Sequence, residues 1–181
     1  MSKIDKRFSA FDNIPWILSL LDFTKKALLH HRIRAVGLCF GHQIIGRALG
    51  ASGGPNSNGS EMSVCSIDLT PAGQRLFGKS QLAVHQMHHD SITYNPKNVV
   101  SLGSSSICGT QGMTIPEKLI SLQGHPEFDG EIMLHLLEAT EELGFEDSSL
   151  LEDALNRVND PHDAEVIAAT FLRFIRGDFD E

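Results

Sequence analysis

The chain's most constraining feature is an apolar run over residues 33–38 that ends in Gly37-Leu38-Cys39-Phe40-Gly41-His42-Gln43. Helix-like sequence follows at once, over residues 42–49, and Gly50 stops it. A buried strand that turns sharply into a helix is the building unit of an α/β fold, and a sharp turn needs small neighbours. Gly37 and Gly41 flank Cys39 in the same pattern as a Gly-x-Ser-x-Gly nucleophile turn. The following helix would aim its positive dipole end at the thiol and favour thiolate. The backbone N–H of Phe40 would then face an oxyanion.

A second apolar run, residues 119–123, leads into Gly124-His125-Pro126-Glu127. His125 should therefore sit at the same carboxyl-terminal sheet edge as Cys39, where α/β sites collect. It is a candidate base for the thiol, and Glu127 a candidate for holding its tautomer. Pro126 restricts the backbone between them. A lone cysteine at a strand end is most often an inert, small buried residue. A lone His-x-Glu is most often a solvated turn. The combination of the two motifs is what points to a site.

The remaining pattern is mixed. Residues 14–29 read as a helix, with Asp12 and Asn13 as caps and Pro15 in the first turn. Residues 51–60, rich in Gly, Ser, Asn and Pro, read as a loop. Residues 64–69, 82–85 and 99–104 read as strands, with a helical turn over 71–77. Three helices follow: one capped by Asp129 and stopped by Gly144, one opened by the capping-box pattern Ser149 to Glu152, and one opened at Asp160-Pro161 and stopped by Gly177. These elements predict an α/β sandwich with a largely parallel sheet.

With 181 residues, the chain is long enough for one domain with a full core. A net charge of −8, without a cluster of Lys and Arg, argues against a nucleic-acid partner. No stretch approaches the ~18 apolar residues of a membrane span. Three cysteines (Cys39, Cys65 and Cys108) without a framework pattern fit a reducing compartment. The cytoplasm is the expected location, with the nucleus also open. His85, His88, His89 and Asp90 lie close in sequence, but their spacing matches no known metal-ligand pattern, so no metal or other cofactor is expected.

Taken together, Gly37 to Gln43 and Gly124 to Glu127 resemble the two catalytic motifs of the class I, or triad, glutamine amidotransferases. Arg7 to Asp12, Pro15-Trp16-Ile17 and His85 to Asp90 resemble further segments of a stand-alone, GMP-synthase-like branch that includes γ-glutamyl peptide hydrolases. The likeness runs from about Phe8 to Phe174. It implies a flavodoxin-like three-layer fold and a Cys39-His125-Glu127 triad that cleaves the amide of glutamine or a γ-glutamyl compound. It implies that Gln43 holds the glutamyl head, with a Gln86-Met87-His88 turn beside the same pocket, and it allows an ammonia-accepting partner.

Against that family, the first β-α-β unit expected ahead of Phe8 is missing, a deficit on the order of 60 residues, about twice the ~30 of a minimal unit. Residues 1–7 match nothing. The second oxyanion donor normally falls there, and its loss typically costs ~10²–10³ in rate. A truncated enzyme and a catalytically weakened domain with a regulatory or interaction role are the two expectations.

Overall fold

Short connections decide the topology. In the computed structural model, which describes residues 8–94, 96–144 and 146–178, α1 (Pro15–Leu29) leads to β1 (Ala35–Leu38) and α2 (Phe40–Ala48). Next come β2 (Ser52–Pro55), β3 (Glu61–Leu69), α3 (Pro71–Phe77), β4 (Gln81–His88) and β5 (Asp90–Tyr94). Then β6 (Val100–Ser104), β7 (Gly112–Ile115) and β8 (Leu119–Leu122) precede α4 (Gly130–Leu143), α5 (Ser148–Asn156) and α6 (Ala164–Arg176).

The main sheet has six strands in the order β1-β8-β7-β6-β3-β4, and β2 pairs with β5 separately. The expectation of a largely parallel sheet is corrected: β1 and β8 run parallel, while β8–β7, β7–β6, β6–β3 and β3–β4 are all antiparallel. A parallel crossover needs about a dozen residues or more. The links from β6 to β7, from β7 to β8 and from β3 through α3 to β4 are shorter than that, so each strand folds back on the last. β1 and β8, far apart in the chain, run side by side, whereas β3 and β6, also well separated, pair antiparallel.

Burial follows the pleat. In β8, Ile120 and Leu122 join a cluster with Ile167, Phe171 and Phe174 of α6. Leu119 instead joins Ile45 of α2 and Met113 of β7. Met62 of β3 packs with Met133 and Leu137 of α4 and Leu151 and Ala154 of α5. No helix among the described residues is long and apolar enough to cross a membrane.

Two features bring the strand ends around the site. β3 meets β6 only at Asp68 and Leu69, and its earlier residues run with β4 past the end of β6. The backbone N–H of His125 donates to the carbonyl of His85 at 2.7 Å. That bond lays the segment after β8 against the free edge of β4, so the sheet curls on itself.

Three capping expectations are corrected. The N-cap of α1 is Ile14, without a side-chain cap. Asp12 instead accepts from the Ser9 N–H, and Asn13 accepts from Arg47. α5 is capped two residues early by Asp147, which accepts from the Ser149 N–H at 2.8 Å. α6 opens at Ala164 rather than at Pro161, and its N-cap Asp163 makes no side-chain cap bond because its carboxylate is held by the Ala83 N–H and Lys79. The predicted stops at Gly144 and Gly177 adopt left-handed φ of 65° and 83°.

Candidate active site

Cys39 is the N-cap of α2 and has φ 45° and ψ −104°, a conformation a non-glycine residue rarely adopts. Such strain costs on the order of 1–3 kcal/mol and persists only where the surroundings impose it. Here the Cys39 N–H donates to the Leu122 carbonyl at 3.0 Å, and its own carbonyl accepts from the Gln43 N–H at 3.0 Å. The turn is thus pinned to β8 on one side and to the first turn of α2 on the other.

The two flanking glycines do different jobs. A Cβ on Gly37 would lie 2.6 Å from Ile45 Cδ1 and 2.8 Å from the carbonyl carbon and oxygen of Gly41. A Cβ on Gly41 would meet nothing within 4 Å. The expectation that both positions need a small residue for want of space therefore holds for Gly37 alone. Gly41 matters there as the backbone that Gly37 admits.

His125 is brought to the elbow by the His85 contact. Gly124 has no room for a side chain, since a Cβ would sit 2.8 Å from Val84 Cγ1. The His125 ring lies flat on Phe128, with centroids 4.1 Å apart and planes 5° apart. His125 Nδ1 donates to Glu127 Oε1 at 2.8 Å, and its ring lies close enough to Cys39 for the thiol to raise its pKa. A carboxylate only accepts, so Nδ1 carries the proton and Nε2 is left for the thiol. Burial alone would lower the His125 pKa. The neighbouring Cys39 and Glu127 side chains outweigh it and raise the pKa to about 9. Burial pushes Glu127 upward, and the hydrogen bond from His125 brings it below the ordinary carboxylate value.

Behind the elbow lies a buried polar network. Gln43 Nε2 donates to the Asp90 carbonyl at 2.8 Å and to Gln123 Oε1 at 3.0 Å. Gln123 Nε2 points at Cys39 Sγ, 3.6 Å away. His88 Nδ1 donates to the same Asp90 carbonyl at 3.1 Å, and its Nε2 lies 3.1 Å from Glu61 Oε2. Gln111 joins Glu61 Oε2 at 2.7 Å to Gln86 Nε2 at 2.9 Å. His42 Nδ1 and Ser121 Oγ pair at 2.9 Å, and burial holds His42 neutral, with a pKa of about 3.

The structure redistributes the residues expected beside the pocket. Gln86, Met87 and His88 lie within β4 rather than in a turn. Strand alternation sends Gln86 and His88 into the network, while Met87 falls on the opposite face and packs with the Met62–Met133 cluster. The same alternation separates His85, whose ring lies 4.9 Å from His162, from His88. No group of three or more His, Cys, Asp or Glu side chains among the described residues is arranged to hold a metal. Sequence reasoning did not assign a role to Glu61, Gln111 or Gln123. A glutamine closing an otherwise apolar run was the available signal for Gln123. Residues 1–7, where a second oxyanion donor was sought, lie outside the described residues.

The fold thus holds a strained cysteine between a strand and a helix, beside a His–Glu pair. Residues 20–139 match the model of the glutamine amidotransferase class-I family, and the chain belongs to that family. It is 35% identical over 171 residues to a glutamine amidotransferase-like protein of Schizosaccharomyces pombe, covering 92% of this chain and 68% of the relative. It is 31% identical over 136 residues to gamma-glutamyl peptidase 3 of Arabidopsis thaliana, covering 71% of this chain and 54% of that protein. The chain thus spans about half to two thirds of the length of these relatives. Among solved structures, a glutamine amidotransferase of Methylobacillus flagellatus shares the fold, with a TM-score of 0.74 at 21% identity over 92% of this chain and 73% of that one.

The other thiols are poorly placed to compete with Cys39. Burial pushes Cys108 up to about 11, and it is fully buried. Burial raises Cys65 too, with the nearby Arg157 offsetting part of the effect. Iodoacetamide at pH 7 should therefore modify Cys39 first, by at least about tenfold over the others. Peptide mass mapping against time checks this, and equal labelling of all three in the folded protein would count against the site.

Proposed function

We propose that this chain hydrolyses the side-chain amide of glutamine, or a related γ-glutamyl amide, through a thioester at Cys39. The observation that carries the reading is the hydrogen-bonded His125–Glu127 pair beside Cys39, which sits at a strained strand-to-helix turn.

The steps follow from the groups present. The thiol proton passes to His125, and the sulfur attacks the γ-carbonyl carbon, forming a C–S bond. The oxyanion is held by the backbone N–H of Phe40, the first residue of α2. The imidazolium gives its proton to the departing nitrogen, the C–N bond breaks, and ammonia or an amine leaves. Water then attacks the thioester, with His125 taking its proton. The C–S bond breaks, releasing a γ-carboxylate and restoring Cys39. A raised His125 pKa means that the thiol proton rests on the ring before substrate arrives, as a thiolate–imidazolium pair, ready for the leaving nitrogen.

Gln43 is committed through both Nε2 protons, so only its Oε1 is left to accept from a ligand, such as the α-ammonium of a glutamyl head. Gln86 and His88 hold the network behind that position, and Met87 has no part in it. The γ-glutamyl peptidase relative supports a small γ-glutamyl substrate. A partner that accepts the ammonia fits the same chemistry. Ammonia and glutamate release from glutamine, measured beside release from γ-glutamyl peptides, tests the reading. No turnover of either, despite a selectively reactive Cys39, would favour the non-catalytic alternative.

The His125 titration gives a separate check. Its folded pKa of about 9 lies above the ordinary value of roughly 6.5. The stability this adds is present in full below about pH 6.5 and is lost as pH rises through about 9. Glu127→Gln removes one of the groups that raise it, so the midpoint should fall. An NMR titration of the His125 ring reads both values, and a wild-type midpoint at or below 6.5 would contradict the hydrogen-bonded pair.

A further inference from the structure

The network behind Cys39 has a property that follows from counting donors. The Asp90 carbonyl can only accept, and it accepts from His88 Nδ1 and Gln43 Nε2. The NH₂ of Gln43 must therefore face Asp90. Its second proton then goes to Gln123, which fixes the Gln123 oxygen toward Gln43. The NH₂ of Gln123 is left facing Cys39 Sγ. Flipping either amide would set two acceptors, or two donors, against each other in a buried site. Gln123 is fully buried, Gln43 is 4% exposed, and water is not at hand to repair the mismatch. The Gln123 backbone is held as well, its N–H donating to the Gln111 carbonyl at 2.9 Å.

We infer that Gln123 is a second partner of the reacting sulfur, a fixed N–H donor that stabilises the Cys39 thiolate from the side opposite the solvent. The inference rests on Cys39 being the nucleophile. A sulfur is a weak acceptor as a thiol and a stronger one as a thiolate, so the donor favours the ionised form. Sulfur carries negative charge twice in the cycle, before attack and again as the thioester breaks. Between these points it is neutral and holds the N–H weakly. The donor therefore assists departure of the thiolate in the second half, and losing it should make the acyl-enzyme last longer. Gln43 sets the direction of this donor, which links the residue expected at the glutamyl head to the reactivity of the thiol.

The test compares Gln123→Glu and Gln123→Met with wild type and with His125→Ala, all first checked for cooperative thermal unfolding. The glutamate keeps the length and the contact from Gln43 but cannot donate while ionised. The methionine keeps the volume and carries no donor. The rate of Cys39 modification by iodoacetamide at pH 7 should fall by about tenfold in Gln123→Met, the loss expected of a hydrogen bond to a charged group, and by more than that in Gln123→Glu, whose charge also opposes the thiolate. At pH 10, where an ordinary thiol is ionised, the methionine variant should approach the wild-type rate. A packing defect would not depend on pH in that way. Should either variant fail to fold, Gln43→Leu serves instead, because it frees the Gln123 amide to turn and should slow modification about twofold. Wild-type rates in the folded Gln123 variants, with His125→Ala slowed, would overturn this inference and leave the triad standing. Wild-type rates in all of them, His125→Ala included, would remove the triad as well.

Discussion

Cys39→Ser should reduce glutamine or γ-glutamyl amide hydrolysis by about 10⁴-fold or more, the scale seen when a triad nucleophile is removed. An alcohol ionises far less readily than a thiol, so the variant loses the thiolate that faces the His125–Glu127 pair. The variant should nevertheless fold normally. The strain at φ 45° belongs to the backbone and is imposed by β8 and α2, not by the sulfur. Ammonia release at equal folded concentration reads the effect. A serine variant within tenfold of wild type would place the chemistry elsewhere.

Gly37→Val should destabilise the fold and disable the elbow together. Even a first Cβ lands 2.6 Å from Ile45 Cδ1 and 2.8 Å from two backbone atoms of Gly41. The isoleucine tip can rotate away, but the Gly41 backbone cannot move without opening the first turn of α2 and shifting the Phe40 N–H. Overpacking of this kind typically costs about 1–3 kcal/mol, and the branched valine belongs at the upper end. At this chain length the loss corresponds to a fall in Tm of roughly 5–10 °C. Gly41→Ala makes the contrast. Its added Cβ meets open space, and replacing a helical glycine commonly gains about 0.5–1 kcal/mol. Thermal unfolding of the pair separates them, and equal Tm values would contradict the crowding at Gly37.

The strand–elbow–helix at residues 35–48 was legible because an apolar run, two glycines and a helical stretch all agree on one geometry. α4 was legible for the same reason, with Asp129 at one end and Gly144 at the other. β2 was read as loop because Ser52-Gly53-Gly54-Pro55 has no strand signal of its own. It is held by pairing with β5 and by the Phe11 ring, which occupies the space a Gly53 side chain would need. β7 was missed because four residues beginning with glycine carry too little pattern. The direction of the strands was misjudged from the mixture of strands and helices, although the short links β3–β4, β6–β7 and β7–β8 already required antiparallel neighbours. The polar network was out of reach for a different reason. Glu61, Gln86, Gln111 and Gln123 are far apart in sequence, and only the curl of β3 and β4 toward β8 makes them neighbours.

The most direct test of the central claim is a covalent one. A chloromethyl ketone analogue of glutamine places an electrophilic carbon where the γ-amide would sit, and a nucleophile held beside a glutamyl pocket should displace the chloride. Intact mass followed by peptide mapping should show a single adduct on Cys39, forming in step with loss of amide hydrolysis and slowed by excess glutamine. An adduct on Cys65 or Cys108, or selective reaction of Cys39 with iodoacetamide but not with the glutamine analogue, would contradict a glutamyl-amide site at this elbow.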